Sequence, residues 1–158
     1  MSKTIPADTQ KPTYLVCISD TDYSRTALQF AEKIAQRTHG KLIVLHVTEP
    51  LDYKSFGLVA DKMQVERKKE ARKLLHDVTE TIGVEKTLMV REGFIEDEIV
   101  KVVGKNDHIH MVILGAAAHT SAKNKILQPL VAQLGHKIMV PMLIIPGNIT
   151  PQQIELLA

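Results

Sequence analysis

The chain has 158 residues, of which 44% are hydrophobic and 24% are charged. This length suits one domain, and the composition is that of a globular protein, which excludes a wholly disordered chain. Twenty basic and eighteen acidic residues leave a formal charge of +2. That charge is too small for a protein built to neutralise many nucleic-acid phosphates. Three Tyr, three Phe and no Trp also argue against a stacking platform for single-stranded nucleic acid.

Cysteine usage and the N-terminal segment indicate the compartment. Cys17 is the single cysteine, so the chain forms neither an intrachain disulfide nor a multi-cysteine zinc site. It lies in an apolar run, which predicts a buried, inert thiol. Residues 1–12 lack the apolar core of a signal peptide, and no stretch approaches the roughly 20 apolar residues of a membrane helix. We therefore expect a cytoplasmic protein with no membrane or nucleic-acid partner.

Short apolar runs alternate with helical patterns along the chain. The predicted strands are 14–18, 42–47, 87–90, 111–114 and 138–145. The first helix follows Ser24, a candidate N-cap, and stops at Gly40. The second is long and charged and ends at Gly83; we interpret its basic run as a solvated face because acidic residues are interleaved with it.

The third predicted helix starts near Ile95 with an acidic first turn, which complements the helix dipole. The fourth starts at Pro129, which suits a first helical position because no amide donor is needed there. The resulting order, strand and helix repeated four times and then a last strand, predicts an α/β protein with an open parallel sheet and helices on both faces. Ligands of such sheets bind beyond the carboxyl ends of the strands, where strand order reverses. The loops to inspect are 19–22, 48–50 and 115–128.

Five segments, in their order and spacing, resemble those of a known family. They are 15–28, 46–47, 90–93, 111–115 and 140–146. The chain is similar along nearly its whole length to the universal stress protein family. The resemblance implies a five-stranded, Rossmann-like sheet of the adenine nucleotide alpha hydrolase-like type. It places the domain at 13–147, with a flexible N-terminal tail over 1–12 and a C-terminal tail over 148–158. Ile154, Leu156 and Leu157 are expected to let this second tail dock.

The family's ATP-binding members use a Gly-x2-Gly-x9-Gly-Ser/Thr loop, from which this chain departs. Gly115 matches the first glycine, whereas Ala118, Gln128 and Pro129 stand at the second glycine, the third glycine and the hydroxyl position. The first two add a Cβ atom where backbone must approach phosphate. Pro129 removes a hydroxyl and an amide donor from a helix start that would hold the anion. We therefore expect a stress-response protein that does not bind ATP in the family's usual way.

An alternative is a rebuilt site for ATP or AMP. Ser19 stands where ATP binders have an acidic residue, with Asp20 displaced by one position. Apolar side chains at the ends of two strands could still frame an adenine, and basic loop residues could hold phosphate through their side chains, although a plain surface loop is the simpler interpretation. The candidate ligand-contacting residues are Ser19, Asp20, Val47, Leu114, Gly115, Ala118, His119, Lys123, Lys125, Gln128 and Pro129.

Sequence signs of catalysis are weak. No Gly-x-Ser-x-Gly elbow and no pair of histidines four residues apart is present, and His46 is interpreted as a hydrogen-bonded core residue. We expect no metal, no dedicated cofactor and no enzymatic activity. The alternative is a slow nucleotide hydrolase, in which Asp20 or Asp22 positions water and Lys123 or Lys125 contacts phosphate.

The last predicted strand indicates how the chain assembles. The segment from Ile138 to Ile145 is unusually apolar for an edge strand, and such edges are usually covered or paired. In the resembling family, dimers often form by antiparallel contact of the last strands. A homodimer through this strand is therefore expected, unless the C-terminal tail covers the edge. The sequence does not identify protein partners.

Overall fold

The computed structural model describes residues 11–118 and 127–158. The strands in these ranges are β1 (Thr13–Cys17), β2 (Lys41–Thr48), β3 (Lys86–Glu92), β4 (Ile109–Ala116) and β5 (Met142–Pro146). The helices are α1 (Asp22–Thr38), α2 (Tyr53–Phe56), α3 (Ala60–Thr79), α4 (Ile95–Lys105), α5 (Leu127–Leu134) and α6 (Pro151–Leu157). The predicted N-terminal tail falls almost wholly outside the described residues.

The five strands form one parallel sheet in the order β3-β2-β1-β4-β5. The chain builds outward from β1 to β3 on one side and then continues from β4 to β5 on the other. Strand order therefore reverses between β1 and β4, which confirms the predicted open α/β fold and fixes where a ligand would bind. Within the described part of the chain, no helix is long and apolar enough to cross a bilayer.

Two hydrophobic layers cover the sheet because successive strand residues point to opposite faces. Tyr14 and Val16 of β1 point into a cluster shared with α1, α3 and α6. Leu15 and Cys17 point into the opposite cluster, which α4 and α5 complete. This arrangement confirms helices on both faces and brings the ends of β1 and β4 between two helical layers.

The start of α1 differs from the predicted cap. Thr21 is the N-cap, and its Oγ1 accepts from the amide of Ser24 at 3.3 Å. Ser24 lies inside the helix, where its buried hydroxyl donates to the carbonyl of Ser19 at 2.7 Å. The prediction of Ser24 as the cap was therefore wrong. The helix ends as predicted before Gly40, with His39 at a left-handed φ of 54°.

The other predicted helices shift by a few residues. The long second helix is α3, which ends at Thr79, so Ile82 and Gly83 lie beyond it. A short α2 and a 3-10 turn at Gly57–Val59 precede α3. Pro129 is the third residue of α5 and not the first. Proline is tolerated there because the first four amides of a helix have no intrahelical acceptor.

The C-terminal region contains more structure than was predicted. The last strand covers only Met142–Pro146 and not the predicted 138–145. Ile138 is buried and belongs to the turn that ends α5, because its amide donates to the carbonyl of Leu134 at 3.1 Å. The predicted tail 148–158 contains helix α6, which begins with a capping box between Thr150 and Gln153. Ile154 is buried in the α1 layer, as anticipated. The expectation was wrong for Leu156 and Leu157, which are 80% and 62% exposed.

Candidate functional site

A cavity of about 520 Å³ opens at the carboxyl ends of the strands, where the strand order reverses between β1 and β4. Its floor comes from the ends of β1, β2 and β4, and its sides come from α4 and α5. The lining residues are Cys17, Ile18, Ser19, Tyr23, Ser24, Val47, Glu49, Gly93, Phe94, Ile95, Glu96, Leu114, Gly115, Leu127, Pro129, Leu130 and Gln133. This is the position at which open α/β sheets bind their ligands.

The structure brings five of the predicted site residues together. They are Ser19, Val47, Leu114, Gly115 and Pro129, all of which line the cavity. Whether Val47 and Leu114 frame an adenine stays a prediction.

The other predicted site residues are not among the described lining residues of this cavity. Asp20 lines a neighbouring cavity and forms an ion pair with Arg25, with 2.8 Å between Oδ1 and Nη2. Ala118 and Gln128 are exposed and do not line the main cavity. The predictions for His119, Lys123 and Lys125 lie outside the described residues.

Gly115 is explained by packing. A Cβ atom at this position would lie 2.9 Å from the carbonyl carbon of Tyr23 and 3.3 Å from the Cα of Ser24. Both atoms belong to the backbone at the start of α1, which cannot move aside cheaply. The glycine is therefore required by the close approach of β4 to α1, with no need to invoke a phosphate.

The polar atoms of Ser19 are engaged within the chain. Its amide donates to Ser24 Oγ at 3.1 Å, and its carbonyl accepts from the same hydroxyl. Its own hydroxyl lies 3.1 Å from Thr21 Oγ1. These bonds join the end of β1 to the start of α1. An uncharged serine held in this way supplies no carboxylate to the cavity.

Sequence reasoning missed the side of the cavity that follows β3. Phe94 is the N-cap residue of α4 and is 61% exposed, and Glu96 lies in the first turn of the same helix. Glu49 is the first residue after β2. It lies in the loop 48–50, which the sequence analysis selected for inspection, but Glu49 itself was not among the predicted site residues. The rule that ligands meet strand carboxyl ends applies equally to β3, so the turn at Gly93 was the available signal.

The charged side chains among the described lining residues are those of Glu49 and Glu96. None of the lining residues in the described ranges is Lys or Arg. Glu96 shares the first turn of α4 with Asp97 and Glu98, so carboxylates already complement the positive end of that helix. Arg67, the cation that approaches Glu49, uses its guanidinium to donate to the Glu49 backbone carbonyl at 3.0 Å.

Cys17 lies at the floor but does not provide a nucleophile. Burial raises the pKa of its thiol to about 12. The reactive form of cysteine is the thiolate, so the side chain is protonated and unreactive at neutral pH. The prediction of a buried thiol is confirmed, and its inertness stays a prediction.

Histidines contribute hydrogen bonds in the described structure. His46 is half-buried, and its Nδ1 lies 2.7 Å from the carbonyl oxygen of Ile18, as the sequence interpretation anticipated. His110 makes a similar local contact to the carbonyl of His108, also at 2.7 Å. Within residues 11–118 and 127–158, no group of three or more His, Cys, Asp or Glu side chains could hold a metal ion.

Comparison with known proteins assigns the family. The family model "Universal stress protein family" matches residues 13–146, which is most of the chain. The chain belongs to the universal stress protein family. A search of curated proteins found no match to this universal stress protein.

Solved structures confirm the fold of this universal stress protein. One from Burkholderia pseudomallei has a TM-score of 0.67 at 17% identity, covering 89% of this chain and 99% of that one. A universal stress protein in complex with cAMP has a TM-score of 0.62 at 16% identity, covering 88% and 99%. One from Archaeoglobus fulgidus in complex with dAMP has a TM-score of 0.59 at 16% identity, covering 85% and 97%. At these identities the likeness shows a shared fold, and the ligands belong to those proteins.

Proposed function

We propose that this universal stress protein is a cytoplasmic, non-enzymatic stress-response protein that does not bind ATP in the family's usual way. One observation carries the proposal. The described lining of the cavity includes two acidic residues, Glu49 and Glu96, and Pro129 in the first turn of α5, and it contains no Lys or Arg.

The physical reasoning concerns the anion. Phosphates are bound by backbone amides at helix starts or by cationic side chains. Pro129 has no amide proton to donate, and the described lining offers no Lys or Arg. Gly115, the one residue that matches the family's loop, is explained by its contact with Tyr23. A triphosphate entering this cavity would meet negative charge on the described side.

A second candidate function is binding of ATP or AMP by a rebuilt loop. It is favoured by Val47 and Leu114, which line the cavity floor together and would contact the faces of an adenine. The related proteins found with cAMP and dAMP support the same idea by analogy. A slow hydrolase is less well supported, because Asp20 faces Arg25 and lies outside the lining of the main cavity.

Calorimetric titration separates these two functions. We expect no saturable heat with Mg-ATP, AMP or cyclic AMP at concentrations up to about 1 mM, which corresponds to a binding free energy no better than about −4 kcal/mol. A micromolar dissociation constant for any of them would establish the rebuilt site instead. ATP turnover is measured on the same preparation, with Asp20→Asn as the variant that reports on hydrolysis.

The proposed assembly is a homodimer paired through β5. The amide of Val112 donates to the carbonyl of Pro141 at 2.9 Å, so odd-numbered residues of β5 turn their backbone groups toward β4. The backbone groups of Met142 and Ile144 therefore point away from the sheet at its open edge. Unpaired edge groups beside apolar side chains favour pairing with a second copy.

Sedimentation velocity tests the dimer. We expect a dimer at micromolar concentration and a monomer for Met142→Lys, because a charge on an edge strand opposes pairing. Leu156→Lys is the control, since it removes an exposed apolar side chain in α6. A monomeric parent protein, or a dimer that survives Met142→Lys with the fold intact, would rule out pairing through β5.

A further inference from the structure

The strand β3 forms the edge of the sheet opposite to β5. At its start, the amide of Leu42 in β2 donates to the carbonyl of Glu85 at 2.9 Å. At its end, the amide of Gly93 donates to the carbonyl of Thr48 at 3.0 Å. Alternate residues of a strand face the same neighbour, so the odd-numbered residues of β3 are bonded to β2. The outward amides and carbonyls therefore belong to the even-numbered residues, which are Lys86, Leu88, Val90 and Glu92.

A groove lies along each face of this edge strand. The α3 groove, a cavity of about 550 Å³, has Leu75, Leu88 and Val90 among its lining residues. The α4 groove, a cavity of about 140 Å³, is lined by Met89 together with side chains of α4. Leu88 is 40% exposed, so the α3 groove offers apolar surface beside the outward backbone groups. An edge strand with a groove on each face has the features by which a sheet accepts an additional strand.

The charge around this edge is predominantly positive. The cationic side chains in the two linings are those of Arg72, Arg91, Lys101 and Lys105. Glu98, the acidic residue of these described linings, is buried and pairs with Lys101 at 3.0 Å. Among the described residues, no ion pair involves Arg72, Arg91 or Lys105. The two grooves therefore present positive charge that the described part of the chain does not neutralise.

This charge favours one kind of occupant. Pairing of β3 with β3 of a second copy would bring the cationic side chains of both edges together, which like-charge repulsion opposes. An acidic segment would be attracted instead. Because successive residues of a strand point to opposite faces, a segment that alternates apolar and acidic residues fits both grooves. Its apolar residues would lie beside Leu75 and Leu88, and its acidic residues beside Arg91 and Lys105.

We propose that β3 is a docking edge for an extended acidic segment of another protein, which adds to the sheet as a further strand. Backbone hydrogen bonds to the even-numbered residues of β3 supply the affinity, and the two grooves select the alternating side chains. Docking at β3 leaves β5 free for the proposed dimer, because these strands are opposite edges of the sheet. The proposal is also independent of what the cavity at the ends of β1 and β4 binds.

Fluorescence anisotropy with a labelled peptide tests the proposal on the full chain. The probe alternates valine and glutamate over about seven residues, which matches the length of β3. We expect saturable binding with a dissociation constant below about 1 mM at low ionic strength. A peptide of the same length that alternates valine and lysine is the control for charge, and it is expected not to bind.

Two N-methylated forms of the probe separate strand addition from simple charge attraction. One form is methylated at the valines and the other at the glutamates, so their charges are identical. Only alternate amides of an added strand face its neighbour, so one form is expected to bind and the other to lose binding. Loss in the valine form indicates an antiparallel added strand, and loss in the glutamate form indicates a parallel one.

Variants of the protein locate the binding edge. Leu88→Pro removes an outward amide without removing a bond to β2, and it is expected to weaken the probe at least about tenfold. Leu88→Ala keeps that amide and is expected to weaken binding less. Arg91→Gln/Lys105→Gln is expected to weaken the probe about fivefold. Its control, Lys62→Gln/Lys73→Gln, removes the same charge from residues that line neither groove, so the affinity should change less than about twofold.

Several results would overturn the proposal. One is the absence of saturable binding by the folded full chain, and another is equal binding of the two N-methylated forms. Dissociation of a parent dimer by Leu88→Pro would show that a second copy covers the edge instead. Far-UV circular dichroism checks the fold of each variant, and if Leu88→Pro unfolds, the N-methylated pair decides on the parent protein.

Discussion

Replacing Gly115 by alanine tests whether this glycine serves packing or phosphate binding. The added Cβ would lie 2.9 Å from the Tyr23 carbonyl carbon and 3.3 Å from the Ser24 Cα. The Tyr23 carbonyl oxygen lies closer still, and ordinary contacts begin near 3.4 Å, so the end of β4 and the start of α1 must separate by more than about half an ångström. Overpacking of this kind costs about 1–3 kcal/mol, and we expect Gly115→Ala to lower the free energy of unfolding by that amount.

Urea unfolding followed by far-UV circular dichroism measures this change, and the chain supplies a matched control. Gly104 lies inside α4, and a Cβ atom there would meet nothing within 4 Å. Gly104→Ala is therefore expected to stabilise by about 0.5–1 kcal/mol through helix propensity. If Gly115→Ala unfolds within about 0.5 kcal/mol of the parent protein, a difference typical of neutral surface changes, the packing explanation is refuted.

Two further predictions follow from the described contacts. Ile154→Ala is expected to destabilise by about 2–4 kcal/mol, because a buried side chain that joins α6 to the α1 layer leaves a cavity; equal urea midpoints for the variant and the parent would contradict this. The Cys17 thiol is expected to resist a thiol reagent at pH 8 until the protein unfolds. Since burial raises its folded-state pKa to about 12 from 9.0, its contribution to stability is complete below pH 9 and is lost as the pH rises toward 12; a flat profile there would argue against burial.

The sequence predicted the fold because apolar periodicity and family resemblance depend on many residues at once. The first and last residues of each helix depend on single hydrogen bonds, which the hydrophobic pattern of the sequence does not show. Thr21 and Ser24 are both competent caps, and only the hydrogen bonds between Ser24 and Ser19 show which one lies inside the helix. The residues of the capping box, Thr150 and Gln153, are a sequence signal for the start of a helix, but α6 is too short to show a clear helical periodicity.

The position of the candidate site could be predicted from the sequence, whereas several of its lining residues could not. The topology rule located the cavity, and Val47 and Leu114 followed because they lie near the carboxyl ends of β2 and β4, the two strands that flank β1. The direction of Asp20 could not be predicted, since it depends on the ion pair with Arg25. Phe94 and Glu96 were accessible to the same rule, had it been applied to the turn after β3. Glu96 bears on the proposed function, because an acidic residue among the lining residues opposes the binding of a phosphate.

The exclusion of phosphate is tested most directly by one calorimetric experiment in which Mg-ATP is titrated into the purified protein at low ionic strength. We predict no saturable binding of Mg-ATP up to about 1 mM, because the described cavity lining includes Glu49 and Glu96 and contains no Lys or Arg. Micromolar binding of Mg-ATP would contradict the proposed function.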